Sequence, residues 1–488
     1  MIAISNPAYC APDNFTMLTN IMNAFSTSEN PVSVEMATDK FKQANIASSY
    51  EVFSQILNNN DLSSVELLDL CEKMYQYGFF SLADIAKRKN IEPNFDFYIK
   101  TTEEFYSPQT LPTKEEELFF SQIYSNIIYN DRAVEAITEL ESQKDKYKKS
   151  DYVKYLLALG YFKTNNFKQS LSAIDDAIDI NPKCENYKVL KIKLLAELGR
   201  RQDALRLFNE YNNAKVLPYS YRKKCELLKQ FILYKTEKNQ WERNYALGRY
   251  YYTEGDYNKA LKSLQNATLT KNKKNLARVW GIMSRTYLKL GNKDKAREFA
   301  NKCCKINPKN KDANVTLARL SDEKKEYKNA LEHYIIASKD DRLDTSRIRV
   351  AQIYQIFEED NKAEKIYKTL IKKEEDVWQA SYNLSKIDKE NREVLLDKTI
   401  VYNPHYKEAW FEKTDDCIES QDYTNAQKYL KNLLYIDEKD FRYYYYQGII
   451  AREKGNNIEA VKYFQKSLTI NPDNYEAAKA LTELKEYI

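Results

Sequence analysis

Glycine and proline are scarce, at nine and eleven in 488 residues. A strand-rich chain of this length needs many more turn residues, so sandwiches and barrels are disfavoured and long helices favoured. Histidine is scarcer still, at two. Neither His333 nor His405 has a cysteine, histidine or carboxylate at metal-ligand spacing, so no metal site is assigned. The seven cysteines are odd in number and scattered, which argues against a disulfide framework and for small buried apolar roles. Cys303 and Cys304 are adjacent, and neighbours in a helix point about 100° apart, a poor start for a metal or redox pair. No phosphate-cradling glycine loop and no Gly-x-Ser-x-Gly motif is present, so no catalytic residue and no cofactor is assigned. No stretch approaches the roughly 18 consecutive apolar residues of a membrane span. Residues 1–11 lack the basic opening and apolar core of a signal peptide. The compartment is therefore read as cytoplasmic, with a periplasmic or secreted location expected only if translation starts upstream and supplies a leader.

What is present is 43% hydrophobic and 30% charged, enough to bury a core and stay in solution. The length exceeds the roughly 250–300 residues at which a single core stops growing, which leaves several domains or a repeat array. The net charge of +5 is unevenly spread: residues 1–112 carry −7 and residues 113–488 carry +12. That asymmetry points to two regions with different surfaces. It falls well short of the dense basic clustering of a dedicated nucleic-acid binder.

Punctuation reveals the repeat. Gly255-Asp256, Gly291-Asn292 and Gly455-Asn456 each precede an alanine by the same number of residues: Ala260, Ala296 and Ala460. The glycine suits the left-handed end of one helix, and the Asp or Asn suits the start of the next. The alanine is small enough to let paired helices approach. Ser170 to Ala204 spans 34 residues, Ala260 to Ala296 spans 36, Ala296 to Ala330 spans 34, Ala330 to Ala363 spans 33 and Ala426 to Ala460 spans 34. Asn181-Pro182, Asn307-Pro308, Asn403-Pro404 and Asn471-Pro472 mark repeat boundaries, because proline cannot continue a helix and disfavours helical geometry before it.

This pattern resembles the tetratricopeptide repeat. Residues 241–274 match through Leu247, Gly248, Tyr251, Gly255, Ala260, Leu264 and Ala267, and residues 441–472 through Tyr444, Gly448, Gly455, Ala460, Phe464 and Pro472. The next repeat after Ala267 matches through Trp280, Tyr287, Gly291, Ala296, Cys303 and Pro308. The resemblance implies an all-α fold, a right-handed superhelical solenoid of antiparallel helix pairs. The expected divisions are a loosely ordered segment 1–35, an acidic helical region 36–112 with a degenerate repeat, and repeats over 113–240 with an irregular helix at 213–240. The main array then spans 241–472, and a capping helix covers 473–488. The segment from Trp378 to Pro404 is short, so a trimmed second helix is expected there.

In the family, first helices line a concave face that takes ligands. By the repeat register, Arg249, Arg285 and Arg319 hold one position of three successive repeats, with Tyr245, Tyr252 and Arg278 around them. Such a ladder suits an acidic peptide through bidentate carboxylate contacts and stacking. It equally suits internal pairing with Asp312 and Asp322, which fall on the same face. Some members of the family capture a C-terminal carboxylate with a Lys/Asn/Arg clamp; the asparagine positions here hold arginines or apolar residues, so that ligand is not expected. Among the 40 tyrosines, Tyr251 and Tyr444 read as core, while others in Tyr250-Tyr251-Tyr252 and Tyr443-Tyr444-Tyr445-Tyr446 must face outward. Exposed tyrosines favour protein recognition, although abundant Tyr, Asn, Lys and Ile together also fit simple compositional bias. The expectation is a non-catalytic protein-binding scaffold or adaptor holding a protein or peptide segment, with no small-molecule substrate. Two rivals stand beside it: a helper subunit of a bacterial envelope or secretion assembly, implied by the resemblance alone, and a helical-repeat RNA binder, which the modest charge disfavours.

Overall fold

The repeat turns are built as the punctuation requires. Gly255, Gly291 and Gly455 take φ of 107°, 79° and 78°. Asp256, Asn292 and Asn456 then accept the backbone N–H of Lys259, Lys295 and Glu459 and start the next helix. Ala260, Ala296 and Ala460 are fully buried where the two helices of a pair meet. Close approach also demands Gly248 and Gly448. A Cβ there would lie 2.6 Å from Leu264 and 2.5 Å from the Phe464 ring. At the Asn-Pro boundaries, helices end at Ile180, Ile306, Tyr402 and Ile470, one residue before the asparagine.

The computed structural model describes residues 33–59, 61–89, 95–213, 219–338, 345–374 and 377–485. Among them are 27 helices and no strand. From Gln240 to Ile470 the chain runs as seven helix pairs, closed by the helix Tyr475–Lys485, whose Ala477, Ala480 and Leu484 pack with Phe464. Five further pairs precede them, at 34–58, 64–88, 114–142, 151–180 and 185–213, with single helices Asp96–Tyr106 and Tyr219–Thr236 between. The molecule is an all-α repeat solenoid. None of its described helices is long and apolar enough to cross a membrane.

Several details differ from the expectations. Residues 1–32 of the loosely ordered segment lie outside the described residues, while Ser33 already caps a helix by accepting from Met36 N–H. In the short repeat it is the first helix, not the second, that is trimmed: Val377–Ser385 has 9 residues, whereas Arg392–Tyr402 has 11, as do Tyr257–Ala267 and Tyr327–Ala337. Tyr444 is buried, but Tyr251 is only half-buried, with the Lys259 ammonium 5.6 Å above its ring. Cys71, Cys184, Cys225 and Cys303 are buried. Burial pushes the Cys303 thiol up to about 12, and its Sγ donates to the Ala277 carbonyl at 3.0 Å.

Distant parts of the chain meet. Val65, Leu68, Phe95 and Ile99 share one apolar cluster with Leu396, Ile400, Trp410 and Leu433. The Val65 N–H donates to Asn432 Oδ1 at 3.1 Å. Asp69 takes His405 Nε2 and the Tyr435 hydroxyl, both at 2.9 Å, and Asp61 pairs with Lys431. On the other side, helix Asp96–Tyr106 packs against Glu185–Glu197, and Phe105 joins Ile192, Leu195 and Leu228 in a second core. The acidic N-terminal region thus sits between early and late repeats and links them.

Candidate cationic groove

Helical spacing gathers the groove side chains. Tyr245, Arg249 and Tyr252 recur at four and then three residues on Gln240–Glu254, and so share one face. Arg278, Ile282, Arg285 and Lys289 do the same on Lys273–Lys289. The helix Tyr219–Thr236 presents Glu226, Lys229, Gln230 and Leu233. Together with Arg201, Glu237, Tyr257 and Lys311 from neighbouring segments, these three helices line a cavity of about 630 Å³, in which seven Lys/Arg face three Glu.

Part of that charge is internally paired. Arg285 lies 2.9 Å from Asp312, their side chains only 16% and 12% exposed, and 5.2 Å above the Tyr252 ring. Arg249 reaches Glu226 at 3.4 Å. Burial opposes the charge of Arg249, but Tyr245, Asp312 and Glu226 outweigh it and hold its pKa above the usual value. Burial pushes the Asp312 carboxyl up, yet Arg285 and Arg249 hold it below the usual carboxylate value. Arg278 is exposed, stacked over Tyr245 at 4.7 Å and Trp241 at 5.3 Å, with Glu242 at 3.9 Å. Lys229 and Lys289 are exposed and make no ion pair among the described residues. Burial, then the neighbouring Arg319 and Arg285, pull the Lys289 pKa down.

The structure therefore brings Arg249, Arg278, Arg285, Tyr245 and Tyr252 to one cavity and leaves Arg319 in the next, of about 410 Å³. Tyr245 is mainly a core residue, 8% exposed, and gives the cavity only an edge. Asp322, which shares the arginine face in register, is taken instead by Arg349 through two 2.6 Å bonds. Sequence reasoning missed Lys229, Lys289 and the Glu226 helix. The helix Tyr219–Thr236 has none of the glycine and alanine punctuation that sets the register, so its lining face could not be aligned.

Two stretches match family models described as tetratricopeptide repeat, residues 277–310 and 441–474. They coincide with the helix pairs on either side of Gly291 and Gly455. The chain contains tetratricopeptide repeats. No curated protein matches it. Among solved structures, the Cut9–Hcn1 hetero-tetramer of the APC/C is similar at a TM-score of 0.43 and 13% identity, covering 96% of this chain and 99% of that one. The human IFIT1 dimer with m7Gppp-AAAA gives 0.31 and 14%, covering 84% and 96%. YrrB, described as a tetratricopeptide repeat protein with an unusual peptide-binding site, gives 0.27 and 15%, covering 45% and 97%. All three TM-scores lie below 0.5, so each is only a loose likeness to this chain. Its repeats belong to a class that generally serves as a protein-interaction scaffold.

Proposed function

We propose that this protein is a non-catalytic scaffold whose first-helix face holds an acidic segment of a partner protein. The observation that carries the reading is the excess of cations in the 630 Å³ cavity, including Lys229 and Lys289, which no carboxylate among the described residues neutralises. Tyr252 and the Arg278 stack add stiff surface beside those charges. The arginine pairs with Asp312 and Glu226 set the shape of the wall, and the lysines meet the ligand. Interleaved carboxylates suit a peptide with spaced negative charges better than a continuous phosphate strand.

The reading is tested by fluorescence anisotropy of a labelled glutamate-rich peptide. Wild type binds it, and a neutral peptide of equal length does not bind. The double variant Lys229→Glu/Lys289→Glu loses at least about tenfold in affinity, because each charge reversal at a cationic site costs on the order of 1 kcal/mol or more. Equal binding of the acidic and neutral peptides, or no effect of the double variant, contradicts it.

A further inference from the structure

The second cavity lies one repeat along from Arg285 and is built differently. Helices Lys311–Glu323, Ser346–Ile356 and Val377–Ser385 contribute Arg319, Gln352, and Trp378 with Gln379. Tyr406 closes it, with its ring 4.7 Å from Trp378 and 4.9 Å from Tyr382. At about 410 Å³ the space suits one large side chain and its flanking backbone.

Three features of this cavity call for one kind of ligand. Gln379 is 8% exposed and its Oε1 has no hydrogen-bond partner, a costly state for a buried acceptor. The neighbouring amides donate elsewhere: Gln352 Nε2 to Asn383 Oδ1 at 3.1 Å, and Asn383 Nδ2 to the Gln379 backbone carbonyl at 2.7 Å. Arg319 makes no ion pair among the described residues, whereas Arg349 beside it is neutralised by Asp322. Trp378, Tyr382, Tyr406 and Tyr334 make much of the remaining wall aromatic, beside Ile348 and Thr345. A ligand that satisfies all three carries an N–H donor, a negative charge and a flat apolar group close together.

We propose that this cavity is the specificity pocket of the groove, taking an aromatic side chain of the partner's acidic segment. A backbone N–H of that segment donates to Gln379 Oε1, and a neighbouring carboxylate pairs with Arg319. The assignment rests on the acidic-segment reading given above.

The test uses the full chain and two labelled twelve-residue peptides, both glutamate-rich, one with a central phenylalanine and one with alanine in its place. Wild type binds the phenylalanine peptide about tenfold more tightly, the yield of burying one aromatic ring. Gln379→Leu, which keeps the buried volume, weakens the phenylalanine peptide by about tenfold. Arg319→Gln, at a half-buried position, weakens it by at least about fivefold and serves if the leucine variant misfolds by circular dichroism. Equal binding of the two peptides, or undiminished binding by folded variants, overturns the pocket and leaves the acidic groove standing. Binding of neither peptide overturns both. A single-stranded oligonucleotide that binds more tightly than either peptide, and loses affinity in Gln379→Leu, overturns the peptide assignment.

Discussion

Arg285 and Lys289 lie four residues apart on one helix and serve different ends. Arg285 is nearly buried against Asp312 and belongs to the wall, while Lys289 is exposed and unpaired among the described residues. Removing one member of a buried pair strands the other, so Asp312→Ala is expected to cost about 3 kcal/mol, seen as a lowered Tm. Lys289→Glu changes stability by less than about 0.5 kcal/mol. Equal Tm losses for the two would reverse the assignment. The Asp312 carboxyl is held low by Arg285 and Arg249 against burial. Its stabilising contribution is thus present above its unfolded pKa and lost as pH falls through its folded value. Acid unfolding of Asp312→Asn should accordingly be shallower than that of wild type. The arginine positions were legible in sequence because repeat register places them. Their partners were not: register puts Asp312 and Asp322 on the same face, and only packing gives Asp312 to Arg285 and Asp322 to Arg349.

Elements show the same division. Gly255, Gly291 and Gly455 announce their turns, yet the structure makes equivalent left-handed turns at Lys325, Glu358 and Gln421, with φ of 61°, 60° and 61°. There the fold imposes a conformation that the residue type does not advertise, which is why those turns are invisible to composition. Glycine relieves the Cβ strain at such a site, partly offset by its greater freedom when unfolded. Glu358→Gly should therefore stabilise by about 0.5–1 kcal/mol, and Gly455→Ala should destabilise by about 1 kcal/mol, both measured as shifts in thermal unfolding. A destabilised Glu358→Gly would show that this turn is held by its side chain. Single helices were hardest to read, since Asp96–Tyr106 and Tyr219–Thr236 have no partner in sequence to fix their register.

At the scale of the whole molecule, the least legible feature is the contact between the acidic N-terminal region and the late repeats. A hydrophobic face at Val65, Leu68, Phe95 and Ile99 says that something covers it, and only the superhelical path brings Trp410 and Leu433 there. The charge asymmetry was legible and now has a physical basis: Asp61, Asp69 and Glu72 meet Lys431, His405 and Lys224. The hydrogen bond that His405 Nε2 donates to Asp69 raises the His405 pKa, burial opposes it, and Asp69 and Glu72 add attraction. A raised histidine pKa gives a contact that is full below the unfolded pKa and fades as pH rises through the folded one. Fluorophores on engineered cysteines at the exposed positions Asn59 and Glu438 should report closer approach at pH 5.5 than at pH 8. His405→Gln should abolish that difference, and an opposite trend would contradict it.

The most direct test of the scaffold reading is zero-length carbodiimide cross-linking in native lysate, which joins lysine amines to carboxylates in contact, followed by mapping of the linked peptides. The account predicts links from Lys229 and Lys289 to an Asp/Glu-rich segment of a partner protein, lost in the folded Lys229→Glu/Lys289→Glu variant. Partners linked only through other surfaces, or a captured set unchanged by the variant, would contradict it.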